Sequence, residues 1–276
     1  MKRIDSHQHF WKYDLQKHSW IDAEMAVIRR NFLPGDIKEE FNKNQIEGCV
    51  AVQTDQSLEE NNFLLNLSRE HSFIKAIVGW VDFRSLDLME QLEKYYEEPV
   101  VKGFRHIVQG EKDPNFLLRS NFLKGISSLK HFDFTYDILV FPHQLGAVLE
   151  FAKRNPNQKF IIDHIAKPYI KDGFFEGWAV LIREIGACQN VYCKISGMVT
   201  EADYKHWNYS QLLPYLDVIL ESFGTKRICF GSDWPVCLVA ADYTEVVTVA
   251  KNFASGLSVS EQEDFWANNA IQFYNL

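Results

Sequence analysis

The sequence is poor in cysteine and has no long apolar run. Its five cysteines are scattered, odd in number and never spaced as C-x-x-C. This pattern predicts reduced, mostly buried thiols in a cytoplasmic protein rather than a disulfide framework. No apolar stretch approaches the roughly 20 residues that cross a bilayer. The first residues lack the apolar segment of a signal peptide, so we expect neither secretion nor a membrane anchor.

Basic residues are also fewer than acidic ones. Lysine and arginine number 29 against 37 aspartates and glutamates, which leaves a net charge of −8 at pH 7. Nucleic acids and anionic membrane surfaces bind basic patches, so we expect no nucleic acid and no membrane among the partners. The same balance disfavours a highly phosphorylated substrate.

The sequence does contain a regular alternation of short apolar runs and longer amphipathic stretches. With 46% hydrophobic and 24% charged residues over 276 positions, an ordinary globular core is expected. Several runs are apolar on both faces, as strands buried in a parallel sheet are. Eight runs are predicted as strands: 2–7, 48–53, 74–81, 100–107, 133–139, 159–165, 190–196 and 227–233.

Helix-like stretches lie between most of these runs. Ser57 and Ser85 each suit the position before a helix, and Glu60 follows Ser57 at capping-box spacing. Eight strands alternating with helices predict an α/β fold, a (β/α)8 barrel of the TIM type formed by a single domain over residues 1–276. The competing fold, a doubly wound open sheet, usually carries a glycine-rich turn after its first strand. Here that turn reads SHQHFW and contains no glycine.

Polar side chains stand at the ends of the predicted strands, where a β/α barrel builds its active site. They are His7 and His9, Gln53, Trp80 and Asp82, Arg105 and His106, Asp137 followed by His143, Asp163 and His164, Lys194 and Ser196, and Ser232, Asp233 and Trp234. Histidines that end several separate strands indicate one shared site rather than isolated structural roles.

The two histidines of the first run are one residue apart. Side chains alternate along a strand, so Asp5, His7 and His9 are expected on one face. Two converging imidazoles can bind a metal, polarise a carbonyl or transfer protons.

Two other strands end in adjacent polar residues. By the same alternation, only one member of each pair should face the barrel mouth. We expect His164 rather than Asp163 to do so, and the choice between Arg105 and His106 stays open.

Five segments together carry a family resemblance: DSHQHFW near the start, KGFRHIVQ, IIDHIAKP, CKISGM and FGSDWPV. They resemble the amidohydrolase superfamily, and more closely its branch of sugar-lactone hydrolases, along the whole chain. The resemblance implies a barrel and hydrolytic chemistry. It also implies a small-molecule sugar lactone as substrate, formed from an aldonic acid such as fuconate or rhamnonate.

The resemblance implies roles for the strand-end residues. Asp233 is expected to be the general base that activates water. The other catalytic groups are expected to be His164 with Arg105 or His106. The fourth strand lacks the carboxylated lysine or glutamate of metal-dependent members, and the fifth lacks a terminal histidine, which argues against a binuclear site. We therefore expect either no required cofactor or one divalent metal ion such as zinc, held by His7, His9, His164 and Asp233.

Substrate contacts are expected from further residues near the mouth. Indole rings suit the C–H faces of sugars, and their N–H groups can donate to hydroxyls. The scarcity of arginine at the strand ends favours a neutral polyol lactone over a dicarboxylate. The expected substrate-binding residues are His7, His9, Gln53, Ser196, Trp20, Trp80 and Trp234.

Two alternatives to a lactonase stay open. The first is a mononuclear metal-dependent amidohydrolase or decarboxylase on the same barrel. The second is a non-catalytic protein that binds a sugar acid. The sequence also leaves open which lactone is used and whether the chain forms a homo-oligomer.

Overall fold

Eight parallel strands form one sheet in chain order in the computed structural model, which describes residues 1–276. The strands are β1 Ile4–Gln8, β2 Gly48–Val52, β3 Ile74–Gly79, β4 Val101–His106, β5 Thr135–Ile138, β6 Phe160–Ile162, β7 Val191–Ile195 and β8 Ile228–Phe230. Seven lie inside the predicted runs, and β1 extends one residue further.

A helix follows each strand and covers the outside of the sheet. These helices are α1 Pro34–Asn44, α2 Leu58–Glu70, α3 Leu88–Tyr96, α4 Ser120–Ile126, α5 Leu145–Arg154, α6 Glu176–Gly186, α7 Tyr209–Phe223 and α8 Tyr243–Ala254, with α9 Val259–Glu263 and α10 Asn269–Tyr274 at the end of the chain. The predicted (β/α)8 barrel is confirmed. No helix is both long and apolar enough to cross a membrane.

The two predicted helix caps differ in outcome. Ser57 precedes α2 and accepts a hydrogen bond from the backbone N–H of Glu60 at 3.3 Å, as expected. The Glu60 carboxylate does not complete a capping box, because it accepts from Thr54 instead. The prediction that Ser85 caps α3 is wrong. Residues 82–85 form a turn in which the Ser85 N–H donates to the Asp82 carbonyl, and Asp87 is the residue before the helix.

The barrel closes between β1 and the residues after β8. His9 N–H donates to the Trp234 carbonyl at 2.7 Å, and Asp233 N–H donates to the His7 carbonyl at 2.8 Å. We call this junction of β1 with residues 231–234 the seam of the barrel. The buried carboxylate of Asp5 stabilises it, because one oxygen accepts from the backbone N–H groups of His7 and Ser232. Its other oxygen accepts from the Tyr243 hydroxyl on α8 at 3.0 Å.

Asp5 therefore does not share a face with the two histidines, and that expectation is wrong. The pairing register of β1 shifts between Asp5 and Gln8. This irregularity breaks the simple alternation. Asp5 faces α8, whereas His7 points into the barrel.

The lower part of the barrel is filled by a small apolar cluster. Inward-facing residues such as Val50, Val78 and Ile161 pack against the C-terminal segment. Phe273 and Tyr274 of α10 belong to the same cluster and are almost fully buried. The end of the chain thus closes the barrel opposite the face where the polar strand ends gather.

We expect Asp5→Ala to lower the free energy of unfolding by about 2–4 kcal/mol, because two buried backbone N–H groups lose their acceptor. Asp5→Asn should cost clearly less, since its carboxamide oxygen can still accept from both. Urea denaturation measures the difference. Equal losses in the two variants would contradict this account of the seam.

Candidate active site

The two histidines of β1 converge at the centre of the barrel mouth. Their Nε2 atoms lie 3.2 Å apart, and both side chains are buried. His9 Nδ1 lies 2.7 Å from the Val52 carbonyl, which can only accept, so this nitrogen carries the proton. The other ring nitrogen of His9, Nε2, therefore faces the cluster.

Both residues that follow β6 point into the site. Asp163 Oδ1 lies 3.1 Å from His7 Nδ1, and His164 Nδ1 lies 2.9 Å from the Ser196 hydroxyl. His164 faces the mouth, as expected, but Asp163 also points into the barrel instead of away from it. Alternation does not apply here, because residues 164–167 have φ angles of 53°, 49°, 61° and 47°. This left-handed turn redirects His164 beside Asp163.

A glycine makes room for the His164 ring. Gly197 follows β7 and has a φ of 60°, which suits a residue without a Cβ. A Cβ at this position would lie 2.5 Å from His164 Nδ1. The ring and the loop after β7 can pack this closely only with glycine there.

Arg105 is the member of its pair that faces the site. Its Nη1 lies 3.0 Å from Asp163 Oδ2 and 3.4 Å from His7 Nε2. Its other terminal nitrogen donates to the backbone carbonyl of Gln53. The Gln53 side chain returns a hydrogen bond to the Arg105 carbonyl, so the two residues brace each other.

His106 points away from the site, between the barrel and the helices. Its Nε2 lies 2.7 Å from a Glu111 carboxylate oxygen, and its ring stacks on Phe116. The Trp80 indole N–H donates to His106 Nδ1 at 3.4 Å. Burial lowers the pKa of His106 below its ordinary value, although Glu111 acts in the opposite direction.

Asp233 stands between the imidazoles. Its Oδ1 lies 3.3 Å from His9 Nε2, 3.8 Å from His164 Nε2 and 3.9 Å from His7 Nε2. Burial by itself would raise the pKa of Asp233, but His164 and His9 bring it below the ordinary value. Burial lowers the pKa of His7 and His164 well below the ordinary value. The site therefore holds an ionised Asp233 beside two imidazoles, His7 and His164, that resist protonation.

A cavity of about 460 Å³ opens onto this cluster. His9, Arg105, His164 and Asp233 form part of its wall. The remaining lining is mixed. It includes the apolar residues Trp20, Met25, Ile107, Leu139, Phe141 and Val236 and the polar residues Thr54, Gln109, Lys167, Thr200, Glu201 and Tyr204.

The structure separates the expected substrate-binding residues into two groups. Trp20 lines the cavity together with His9, whereas His7, Gln53, Ser196, Trp80 and Trp234 do not. Ser196 contacts His164, and Trp234 packs edge-on against Phe10 and Phe32 in the core. These side chains lie behind the residues that line the cavity.

Sequence reasoning missed two charged residues behind the cavity. The alternation rule turns Asp163 away from the site, and Lys194 stands at a strand end without an indicated role. Both side chains are fully buried and lie 2.9 Å apart at Asp163 Oδ1 and Lys194 Nζ. A lysine inside the otherwise apolar run NVYCKIS is the signal that could have found it.

The donor set fits one divalent cation. His7, His164 and Asp233 each offer a ligand atom, and these atoms lie within 4.8 Å of one another. His9 Nε2 faces the same point, and Asp163 supports His7 as carboxylates commonly support metal-bound histidines. The guanidinium of Arg105 beside His7 opposes a second positive charge there.

Residues 4–276 match the family model described as amidohydrolase. The chain belongs to the amidohydrolase family. The expected resemblance is thus confirmed, and this amidohydrolase is 37% identical over 285 residues to an L-fucono-1,5-lactonase from Burkholderia multivorans. That alignment covers 99% of this chain and 96% of the relative.

Two further comparisons are informative. An L-rhamnono-gamma-lactonase from Scheffersomyces stipitis is 26% identical over 201 residues, which covers 64% of this chain and 60% of that one. The crystal structure of an amidohydrolase from Burkholderia multivorans with bound zinc has a TM-score of 0.97 and 37% identity, and each chain is covered completely.

The buried position of His106 predicts a pH dependence of stability. The unfolded chain takes up a proton near the ordinary histidine pKa of about 6.5, whereas the folded amidohydrolase resists it. The stability contributed by neutral His106 is therefore complete above about pH 6.5 and decreases as the pH falls below it.

The variant His106→Gln should accordingly lose less free energy of unfolding than the wild type between about pH 7.5 and about pH 5.5. Urea denaturation at the two pH values measures both losses. A loss that is the same in both proteins would show that His106 does not resist protonation.

Proposed function

We propose that this amidohydrolase hydrolyses a sugar lactone to the open-chain acid. The observation that carries the proposal is the placement of Asp233, a carboxylate at the cavity wall beside His9 and His164. Its lowered pKa keeps it ionised at neutral pH, as a general base must be. The relatives named as lactonases support the same reaction class.

Asp233 acts on water in this proposal. Opening a lactone requires a nucleophilic water, stabilisation of the carbonyl oxygen and a proton for the departing alkoxide. Asp233 takes the proton as water attacks the carbonyl carbon, and it returns the proton to the ring oxygen as that bond breaks. The alkoxide of an ester leaves more readily than the nitrogen of an amide, so one carboxylate suffices for both transfers.

Arg105 and His164 are the proposed donors to the carbonyl oxygen. Arg105 lines the cavity and is held by Asp163 and by the Gln53 carbonyl, so its guanidinium is fixed before substrate binds. The Ser196 hydroxyl can donate to His164 Nδ1, which leaves the proton of this neutral imidazole on Nε2. One such preorganised donor typically contributes about 2.7–4 kcal/mol to the transition state.

The cavity favours a neutral lactone. Its two cationic side chains are already paired, Arg105 with Asp163 at 3.0 Å and Lys167 with Glu201 at 3.3 Å. A phosphate or a second carboxylate would find no unpaired cation there. The apolar lining residues, such as Trp20 and Met25, suit the C–H face or a methyl group of a deoxy sugar. A lactone of a 6-deoxy aldonic acid, such as a fuconolactone, fits both features.

A metal-dependent hydrolase or decarboxylase is the second candidate function. It is favoured by the donor set of His7, His164 and Asp233 and by the zinc in the related crystal structure. A divalent ion held there would polarise a carbonyl or acidify a bound water.

The first experiment offers a panel of neutral aldonolactones to the purified protein and follows acid release with and without a chelator. We expect turnover that survives chelation, because Arg105 and His164 supply the donors. Loss of turnover on chelation, restored by zinc, would favour the metal-dependent reading. Binding of a lactone without acid release, with zinc present as well as absent, would exclude the lactonase and favour the non-catalytic interpretation.

We expect Asp233→Asn to lower kcat by at least about 100-fold, since the amide cannot accept the proton from water. Its melting temperature should stay close to that of the wild type, because the two side chains have almost the same shape. Asp172→Asn, in the exposed segment after β6, is the matched control and should keep full activity. Near-full activity of Asp233→Asn in a folded protein would exclude the proposed role.

A further inference from the structure

A chain of buried polar side chains connects the end of the polypeptide to His7. The Tyr274 hydroxyl of α10 donates to Asp137 Oδ2 at 2.7 Å. Lys194 Nζ lies 2.5 Å from the same oxygen, 2.9 Å from Asp163 Oδ1 and 3.1 Å from His7 Nδ1. These side chains are almost completely excluded from solvent.

Lys194 occupies the middle of this chain. Its ammonium lies between two carboxylate oxygens, one from Asp137 and one from Asp163, and His7 Nδ1 is 3.1 Å away. Because two carboxylates hold the ammonium and the side chain is fully buried, the lysine has little freedom to move. Together with Arg105 it also balances the two buried carboxylates, Asp137 and Asp163.

Asp163 links the buried Lys194 to the residues of the active site. Asp163 uses one oxygen for His7 and Lys194, and its other oxygen for Arg105 at 3.0 Å. The orientation of this one carboxylate therefore sets the position of a cavity-lining cation and of the imidazole beside Asp233. Lys194 fixes the Asp163 carboxylate through its contact with Oδ1, on the side away from the cavity.

We infer that Lys194 is a positioning residue for the proposed hydrolysis and that Tyr274 anchors it through Asp137. The inference rests on the proposed function. Lys194 and Tyr274 do not line the cavity and so do not touch substrate. They act by fixing Asp163, and through it His7 and Arg105. The C-terminal helix is in this way a part of the active-site framework.

The test separates positioning from charge balance. Lys194→Met leaves two buried carboxylates opposite one arginine and is expected to lower the melting temperature strongly. The double variant Lys194→Met/Asp137→Asn removes one charge of each sign and should recover most of that loss. Its kcat should nevertheless stay about 10–100-fold below the wild type, the range typical of lost supporting contacts, with KM nearly unchanged.

Two further variants complete the design. Tyr274→Phe keeps the packing of the ring and removes only the hydroxyl, and we expect kcat to fall several-fold without a change in KM. The matched control is Lys226→Met/Asp264→Asn, which neutralises an ion pair of the same 2.5 Å length outside the site. This control should keep the wild-type kcat.

A double variant Lys194→Met/Asp137→Asn with wild-type kcat would overturn the inference. A second measurement does not depend on the substrate. In ¹⁵N NMR of the protein with labelled histidines, the ring signals of His7 should shift in the double variant and in Tyr274→Phe. If the wild type hydrolyses no lactone, the proposed function fails on its own. The His7 signals then decide the inference, and unchanged signals in both variants would overturn it.

Discussion

The site depends on the buried carboxylate of Asp163. Its two oxygens contact His7, Lys194 and Arg105 at 3.1, 2.9 and 3.0 Å. Burial by itself would raise the pKa of this aspartate, but Lys194, His7 and Arg105 bring it well below the ordinary value. A buried charge is tolerated only when it is paired and hydrogen-bonded, so these four side chains are mutually dependent. Their interdependence gives the barrel mouth a fixed arrangement before substrate binds.

The backbone contributes a second constraint at the end of β6. Four consecutive residues from His164 to Lys167 adopt left-handed dihedral angles. This conformation costs on the order of 1–2 kcal/mol for each residue with a side chain. The hydrogen bond of the Trp178 indole to the Ile165 carbonyl and the ion pair of Lys167 with Glu201 hold the turn in place. The turn brings His164 to Asp233 without displacing Asp163, which is how one short strand supplies two site residues.

Much of the fold could be predicted because its signals are local. Most strands are short runs rich in apolar residues, as parallel strands buried on both faces are. The first strand, with four polar residues among its five, is the exception. The convergence of His7, His9, His164 and Asp233 followed from the rule that strand ends meet on one face of a barrel. Ser85 shows where local rules fail, because residues 82–85 form a turn and the helix begins only at Leu88.

The sequence by itself determined the barrel, the family and the residue types at its mouth, since periodicity and segment motifs are properties of neighbouring residues. Only the tertiary structure decided the direction of each side chain. Arg105 faces inward and His106 outward, and the shifted register of β1 turns Asp5 away from His7. The pairing of Lys194 with Asp137 and Tyr274 joins residues far apart in the chain. Such contacts depend on backbone angles beyond the strand ends and on the packing of the C-terminal helix, which no local pattern encodes.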